Sequence, residues 1–155
     1  MSALDPTDRR ILTALQRDAD IAIEELGQGI GLSRNATWRR IKRLEETGVI
    51  RKRVALVEPE SVGLGLTVFI AVRTDHHESA WVERFTKAVN GIPEILGAYR
   101  TSGDLDYLLH ARVADVKAYD RLYQKLIRSV PVKDVSASFV MEEIKETTAL
   151  PVLEV

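Results

Sequence analysis

Apolar residues recur at helical spacing in three short stretches of the first 60 residues. The stretches cover about residues 6–17, 23–30 and 34–47, which is the length of short amphipathic helices. Asp5 suits an N-cap and Pro6 the first helical position, so the first helix is expected to begin there. The pattern predicts three helices, whose inward-facing positions are Ile11, Leu12, Leu15, Leu26, Ile30, Thr37, Ile41 and Leu44.

The second stretch contains two glycines, Gly27 and Gly29. Glycine inside a helix costs up to about 1 kcal/mol relative to alanine. A helix that tolerates two of them is expected to cross a neighbouring helix closely.

The third stretch combines a capped start and stop with a strong charge. Ser33 is a good N-cap and Gly48 is a good C′ residue. Residues 33–53 carry eight basic and two acidic side chains, a local charge of +6 in a chain of net charge −1. A local cationic surface on a nearly neutral protein predicts a directed site for a polyanion.

Three short helices with a cationic third helix are typical of a helix-turn-helix. After Gly48, residues 49–57 predict a strand, and their basic residues would make it a wing. Pro59 and the segment 63–65 suggest a hinge. The organisation predicted is a winged helix-turn-helix domain over residues 1–60 and a second domain over residues 61–155.

From Leu66 the period of the apolar residues changes to two. The second domain is expected to alternate strands and helices in the order βαββαβ, an α+β ferredoxin-like unit. Pro131 is expected to end its second helix. The expected strands are 66–73, 94–102, 106–113 and 135–144, and the expected helices are 79–90 and one that starts after Asp115.

Two helices can cover only one face of this sheet, yet both faces are apolar. A sheet that is apolar on both faces needs a second cover, and the simplest is a copy of itself. The sequence therefore predicts a homodimer formed by the second domain. The residues expected on the uncovered face are Phe69, Ala71, Leu96, Ala98, Leu108 and Val140.

Bulk composition narrows the class of protein further. The 155 residues include 45% apolar and 29% charged residues and no cysteine, which excludes disulfides and thiolate metal sites. Neither a run of about 18 apolar residues nor a signal-peptide pattern is present, so a cytoplasmic, nucleoid-associated protein without membrane contact is expected. Residues 61–155 carry no basic run, which assigns nucleic-acid contacts to the first domain.

The chain lacks the constellations that would indicate an enzyme. No Ser/His/Asp set, paired catalytic carboxylates or phosphate-binding glycine loop occurs in a suitable context, so no enzymatic activity and no cofactor are expected. The segment Asp75-His76-His77-Glu78 invites a metal interpretation. Adjacent loop residues rarely converge on one ion, however, and no metal site is expected there.

Three segments together resemble the Lrp/AsnC, or feast/famine, family of transcription regulators. They are 31–50, with Gly31-Leu-Ser, Trp38-Arg-Arg-Ile-Lys-Arg-Leu-Glu and Gly48-Val-Ile; 101–115, with Thr101-Ser-Gly-Asp-Leu-Asp-Tyr-Leu-Leu; and 140–145, Val-Met-Glu-Glu-Ile-Lys. The resemblance spans nearly the whole chain, although Gly27 stands where alanine is common in the family. It implies a winged helix-turn-helix and a ligand-sensing domain that assembles dimers, often into tetramers, octamers or other rings, with an amino acid tuning DNA binding.

The third helix and the wing supply the candidate contacts to double-stranded DNA. Asn35, Arg39 and Arg43 are the candidates for base edges, since arginine pairs with guanine and asparagine with adenine in the major groove. Trp38 fits either packing beneath the helix, which is favoured, or contact with the DNA backbone. The residues expected at the helix start and on phosphates are Ser33, Arg34, Arg40, Lys42, Arg51, Lys52 and Arg53.

The segment Thr101-Ser-Gly-Asp-Leu-Asp106 is the candidate effector site. Turn chemistry alone accounts for Gly103 and partly for Asp104, but not for Asp106 beside Tyr99 and Tyr107. A free amino acid needs an acceptor for its ammonium group and donors for its carboxylate. Asp104 or Asp106 would accept, and the backbone near Gly103 with Thr101 or Ser102 would donate. The family implies that Ser136 and Ser138 of a neighbouring subunit add hydroxyls.

The leading hypothesis is thus a sequence-specific DNA-binding regulator. One alternative is a metabolic enzyme or its regulatory subunit that uses the second domain as an amino-acid sensor. Another is an oligomerisation or ligand module whose first domain binds protein. Binding to DNA in a gel shift separates the first hypothesis from both alternatives.

Overall fold

The computed structural model describes residues 4–152, which form two compact units. The first unit contains residues 4–55 and a C-terminal tail, residues 145–152; the second contains residues 56–144. The division falls after Ala55 rather than after residue 60, and the tail returns to the first unit. Residues 1–3, part of the N-terminal segment expected not to be a signal peptide, lie outside the described residues.

The first unit is built from the three predicted helices. They are α1 (Pro6–Arg17), α2 (Ile23–Ile30) and α3 (Arg34–Glu46). The predicted apolar stripes meet in one core, and the tail residue Val152 packs against it. The buried residues of this core are Ile11, Leu12, Leu26, Ile41 and Leu44.

Side chains at the helix starts satisfy the backbone N–H groups that a helix leaves unpaired. Asp5 forms a capping box with Asp8: its Oδ1 accepts from the Asp8 N–H at 2.8 Å, and Asp8 Oδ2 accepts from the Asp5 N–H at 3.3 Å. Ser33 Oγ accepts from the Ala36 N–H at 3.3 Å. Both predicted N-caps are therefore confirmed, and Gly48 follows α3 with a φ of 74°.

Close helix crossing is confirmed at one of the two glycines of α2. A Cβ at Gly27 would lie 2.8 Å from both the Leu32 carbonyl oxygen and Thr37 Oγ1. A Cβ at Gly29 would meet nothing within 4 Å. Gly27 thus permits the approach of α3, whereas packing gives no reason for Gly29.

The strand expected over residues 49–57 is wrong. Residues 51–58 have no regular secondary structure, and the side chains of Val54, Leu56 and Val57 are exposed. A strand needs a second backbone to complete its hydrogen bonds. In the described chain, no strand pairing includes this segment.

The second unit is the predicted βαββαβ arrangement, and its antiparallel sheet has the order β2-β3-β1-β4. A 3₁₀ turn (Glu60–Val62) precedes it. The final strand ends at Phe139 rather than at Ile144. The elements are β1 (Leu66–Arg73), α4 (Ser79–Asn90), β2 (Ile95–Arg100), β3 (Tyr107–Val113), α5 (Val116–Ser129) and β4 (Asp134–Phe139).

The helices α4 and α5 cover the inner face of the sheet. Val68, Ile70 and Val72 of β1 face this core and are at most 1% exposed. Trp81 of α4 is completely buried there, and its Nε1–H donates to the Pro131 carbonyl oxygen at 2.7 Å. This core holds the strands of the sheet in place and thereby positions the hairpin between β2 and β3.

The outer face of the sheet is uncovered in the single chain and carries apolar side chains. Cross-strand pairing aligns Phe69 with His110 and Ala71 with Leu108, and the Phe69 and His110 rings stack at 5.1 Å. Tyr99, opposite Leu108, is 58% exposed. The prediction of a sheet that is apolar on both faces is thus confirmed.

One residue expected on the outer face is misplaced. Ala98 pairs with Leu109, an inner-face residue that is fully buried, so Ala98 lies on the inner side. A register shift between Ile95 and Gly97 inserts Leu96 as an extra residue. Because a bulge moves the following residues to the opposite face, strict alternation through β2 gives the wrong side.

Among residues 4–152, none of the helices has the length and apolar character needed to cross a membrane.

Candidate functional site

The helix α3 buries one stripe and exposes the other. Thr37, Ile41 and Leu44 are buried, as predicted. On the opposite side, Asn35 and Arg39 are exposed. This side presents an amide and a guanidinium, the groups that can each form two hydrogen bonds with a base edge in the major groove.

The eight basic residues of segment 33–53 fall into two equal groups. Arg40, Lys42, Arg43 and Arg53 each form an ion pair with a carboxylate. Within the described part of the chain, the other four have no carboxylate oxygen within 4 Å. These unpaired cations are Arg34, Arg39, Arg51 and Lys52.

A buried carboxylate holds two of the paired arginines. The Asp8 side chain is 1% exposed, and its Oδ1 accepts from Arg40 at 2.8 Å while its Oδ2 accepts from Arg43 at 2.5 Å. Arg40 also donates to Asp5 Oδ2 at 2.6 Å. The backbone N–H of Asp8 and then the Arg40 guanidinium hold the pKa of the Asp5 carboxyl below its usual value. The network joins the start of α1 to the middle of α3.

A second carboxylate, Glu45, pairs with the other two cations. It lies 2.9 Å from Lys42 Nζ and 3.1 Å from an Arg53 nitrogen. The Lys42 ammonium group is the main cause that lowers the pKa of the Glu45 carboxyl. Since all three side chains are partly exposed, solvent weakens these pairs, and the two cations can still turn towards another anion.

Trp38 does not pack beneath the helix, and that expectation is wrong. Its side chain is 49% exposed, and it is absent from the buried core of the first unit. It lies beside the buried stripe, where an indole can be reached from solvent. The alternative, contact with DNA, therefore remains a prediction.

The hairpin between β2 and β3 is held by bonds at its base. The Thr101 N–H donates to the Asp106 carbonyl oxygen at 2.9 Å, and the Thr101 hydroxyl donates to the Leu105 carbonyl oxygen at 2.6 Å. Gly103 has a φ of 106°, which few other residues adopt. The turn predicted from Gly103 and Asp104 is formed.

The two acids of the hairpin have different surroundings. Asp106 Oδ2 accepts from the Thr74 N–H at 2.8 Å, so this carboxylate joins the hairpin to the end of β1. The Asp104 carbonyl oxygen accepts from Arg73 Nε at 2.8 Å, while its carboxylate has no partner in the described chain. Across residues 102–105 the described structure likewise pairs none of the backbone N–H groups. The loop thus offers one open acceptor and several open donors.

Ser136 and Ser138 are not brought to the hairpin within one chain. They lie on β4, where they pair with Ala71 and Phe69, and two strands separate β4 from β2 in the sheet. Neighbouring strands lie about 4.8 Å apart, so roughly 14 Å separates the axes of β4 and β2. A site that combines these serines with Tyr99 needs a second copy of the chain.

Sequence reasoning missed several structural partners. Asp5 was expected only as the N-cap of α1, and Thr67, Arg112 and Glu143 were not expected to meet. Glu143 Oε1 accepts at 2.8 Å from both Thr67 and Arg112, which brings the segment after β4 onto the outer face. Such contacts join residues more than 30 positions apart, so no local pattern signals them.

The histidine-containing loop provides no metal centre in the described structure. His76 Nδ1 lies 3.2 Å from Glu78 Oε1, and Asp75 pairs with Lys133 at 2.8 Å. No group of three or more His, Cys, Asp or Glu side chains among residues 4–152 could hold an ion.

The family models match both units in sequence order. Residues 4–51 match a winged helix-turn-helix DNA-binding model, and residues 67–150 match the Lrp/AsnC ligand-binding domain. The two matched segments contain α3 and the β2–β3 hairpin respectively. The model boundaries thus enclose the two sites described above.

Known proteins share this arrangement over nearly their full length. The chain is 45% identical to the DNA-binding transcriptional activator DecR of Escherichia coli, covering 96% of this chain and 99% of DecR. It is 49% identical to the glutamate uptake regulatory protein of Zymomonas mobilis, covering 97% and 92%. A Neisseria meningitidis transcriptional regulator solved with L-methionine has a TM-score of 0.92 at 39% identity, covering 97% of each chain. The chain therefore belongs to the Lrp/AsnC family of DNA-binding transcriptional regulators.

Proposed function

We propose that this regulator reads operator DNA as a homodimer, through Asn35 and Arg39 of α3, and that an amino acid bound at the β2–β3 hairpin changes that binding. The observation that carries the proposal is the exposed side of α3, where an amide and an unpaired guanidinium stand on a buried, capped helix. Both groups are free to pair with base edges. Arg34, Arg51 and Lys52 supply phosphate contacts that set the register.

Selection of bound duplexes from a random pool tests the DNA-reading part. The wild-type protein is expected to enrich a two-fold related sequence whose half-sites lie about one helical turn, or a multiple, apart. Arg39→Ala should weaken binding to that sequence by roughly 1–3 kcal/mol and relax one base position in each half-site. An equal loss on all sequences would reassign Arg39 to a phosphate. Arg10→Ala, an exposed arginine of α1, is the matched control.

The proposed dimer buries the outer face of the second unit. Phe69, Ala71, Leu108 and Tyr99 form an apolar surface that no element of the described chain covers. Burial of apolar surface drives association, and a two-fold axis lets the same patch cover itself. Assembly of dimers into tetramers or octamers extends the proposal.

Light scattering at micromolar concentration tests the dimer. Phe69→Glu should convert the wild-type dimer mass to a monomer mass, because it places a charge in the centre of the outer face. Val116→Glu is the matched control, since Val116 is exposed on α5, away from that face. A monomeric wild-type protein, or equal masses for both variants, would refute the proposed interface.

The hairpin supports an amino-acid ligand through its unused polar groups. The Asp104 carboxylate is open to accept an ammonium group, whereas Asp106 is partly occupied by the Thr74 N–H. The unpaired N–H groups of residues 102–105 can donate to a carboxylate. Ser102 is exposed, while Thr101 already donates its hydroxyl, so Ser102 is the better side-chain donor. Tyr99, with Ser136 and Ser138 of another copy, would complete the pocket.

Calorimetric titration with the common amino acids tests this site. At least one amino acid should give a binding isotherm, and Asp104→Asn should abolish it while leaving the circular dichroism spectrum unchanged. Asp120→Asn, an exposed acid on α5, is the control and should bind normally. The L-methionine complex of the Neisseria regulator makes L-methionine the first ligand to try. If no amino acid produces heat, the effector part of the proposal fails.

A gel shift on the DNA upstream of the protein's own gene distinguishes DNA regulation from the two alternatives. Binding that survives excess competitor DNA and weakens steeply with salt is expected of a DNA-binding regulator. An enzyme subunit or a protein-binding module would show neither property.

A further inference from the structure

The most deeply buried charge of the first unit touches the recognition helix α3. Asp8 is 1% exposed and uses both carboxylate oxygens to accept from arginines of α3, at 2.8 Å from Arg40 and 2.5 Å from Arg43. Arg39, which also lies on α3, has no carboxylate within 4 Å in the described chain. Of the three arginines at positions 39–43, two therefore form ion pairs with a carboxylate of the protein and one does not.

An internal carboxylate competes with DNA for the same donors. A guanidinium binds carboxylate and phosphate oxygens with the same charge-assisted geometry. If Arg40 and Arg43 both turned to phosphates, Asp8 would stay buried, lose both arginine partners and keep the Asp5 N–H at 3.3 Å, which is strongly unfavourable. Asp8 holds Arg40 Nη1 and Arg43 Nη2, so a phosphate could bond only to the N–H groups that remain, beside a carboxylate that neutralises part of their charge.

We propose that Asp8 is a specificity-determining residue, which withholds Arg40 and Arg43 from DNA phosphates and so limits binding to unselected sequences. This inference rests on the proposed reading of DNA by α3. Phosphate contacts strengthen binding to every sequence, whereas base contacts distinguish sequences. Fewer free cations on α3 leave a larger share of the binding free energy to Asn35 and Arg39.

Arg39→Gln and Arg43→Gln form a matched pair, since both residues are exposed arginines of one helix and only Arg43 contacts Asp8. The full-length variants are titrated with a duplex of unselected sequence over a fourfold range of salt concentration. Each lost phosphate contact lowers the salt slope by about 0.9, so the affinity change over that range shrinks about threefold. Unselected DNA offers no matching base edge, so the unpaired Arg39 acts there as a free cation towards phosphates. Arg39→Gln should therefore show this reduction, and Arg43→Gln should keep the wild-type slope.

Asp8→Asn tests the inference from the opposite side. Removing the carboxylate charge frees Arg43, whereas Arg40 keeps its ion pair with Asp5. Affinity for the unselected duplex should therefore rise, and the salt slope should become steeper by about 0.9 for each recognition helix on DNA. Adding Arg43→Gln to Asp8→Asn should remove that gain. A purely structural role for Asp8 predicts weaker binding with an unchanged or shallower slope.

The outcomes separate this inference from the proposed function. If Arg43→Gln lowers the slope as much as Arg39→Gln, Asp8 does not withhold Arg43 and the inference fails while α3 keeps its role. If neither variant changes the slope and Arg39→Gln also leaves affinity for the selected sequence unchanged, Arg39 does not contact DNA and the proposed function fails as well. Should Asp8→Asn lose its fold by circular dichroism, the comparison of Arg39 with Arg43 still decides the question.

Discussion

Gln16→Ala should loosen the C-terminal tail from the helix-turn-helix unit. Gln16, near the end of α1, holds Leu150 by both backbone groups: the Leu150 N–H donates to Gln16 Oε1 at 2.7 Å, and Gln16 Nε2 donates to the Leu150 carbonyl oxygen at 3.0 Å. These bonds join residues 134 positions apart. The variant removes both bonds and leaves α1 with a good helix former.

The magnitude follows from two solvent-exposed hydrogen bonds. Each contributes about 0.5–1.5 kcal/mol to stability, and exposure to water places these at the lower end. The two bonds together should contribute about 1 kcal/mol, which for a unit of this size corresponds to a fall of about 4–8 °C in Tm. Val152 loses part of its restraint against the core at the same time.

Two measurements test this: the free energy of urea unfolding, and the hydrogen-exchange protection of the α1 and α2 amides. The amides of α5 serve as an internal reference. Gln28→Ala is the matched control, because Gln28 is exposed on α2 and its side chain makes no hydrogen bond among the described residues. Both substitutions change helix propensity equally, so their difference isolates the tail contact. Equal protection of α1 in the two variants would refute the reasoning.

Further predictions concern packing, acid stability and fluorescence. Gly29→Ala should stabilise the first unit by up to about 1 kcal/mol in urea unfolding, whereas Gly27→Val should destabilise it, because even a Cβ meets atoms at 2.8 Å. The lowered pKa of Asp5 gives stability that is present above its unfolded pKa and lost as pH falls through its folded pKa. Asp5→Asn should therefore reduce the fall in Tm on the acid side of a plot of Tm against pH. Trp38 emission should change when DNA is added. Trp38→Phe should abolish the change, because the emission of buried Trp81 does not respond to DNA.

The fold was largely predictable because local patterns and tertiary packing agree. Each helix carries one apolar stripe, and those stripes form the observed cores. Start signals at Asp5, Ser33 and Asp115 are all used as N-caps by side-chain hydrogen bonds. Where a local signal had a physical cause within four residues, the prediction was confirmed.

Predictions failed where the local structure depends on pairing with backbone that is distant in the sequence. Ala98 was placed on the wrong face because the bulge at Leu96 depends on pairing with β3. The wing strand failed because alternation does not supply a pairing partner. The last strand stopped at Phe139, after which Glu143 bonds to Thr67 rather than extending the ladder.

The candidate DNA site shows the same limit in its charges. Counting charges gives a net +6 for segment 33–53, but four of its eight cations are paired in the structure. The pairs of Arg40 and Arg43 with Asp8 span more than 30 positions, so the sequence overstates the charge offered to DNA. It points to α3 as the candidate helix and cannot distinguish Arg39 from Arg43.

Control of DNA binding has few physical routes in this chain. Because the tail belongs to the first unit, the polypeptide passes between the two units twice, after Ala55 and after Ile144. A ligand at the hairpin can shift only states that it binds differently. Under the proposed function, these two connections and the assembly of copies are two routes by which such a ligand can act. If assembly is the route, Phe69→Glu should remove the effect of the amino acid on DNA affinity while leaving the salt slope of each recognition helix intact.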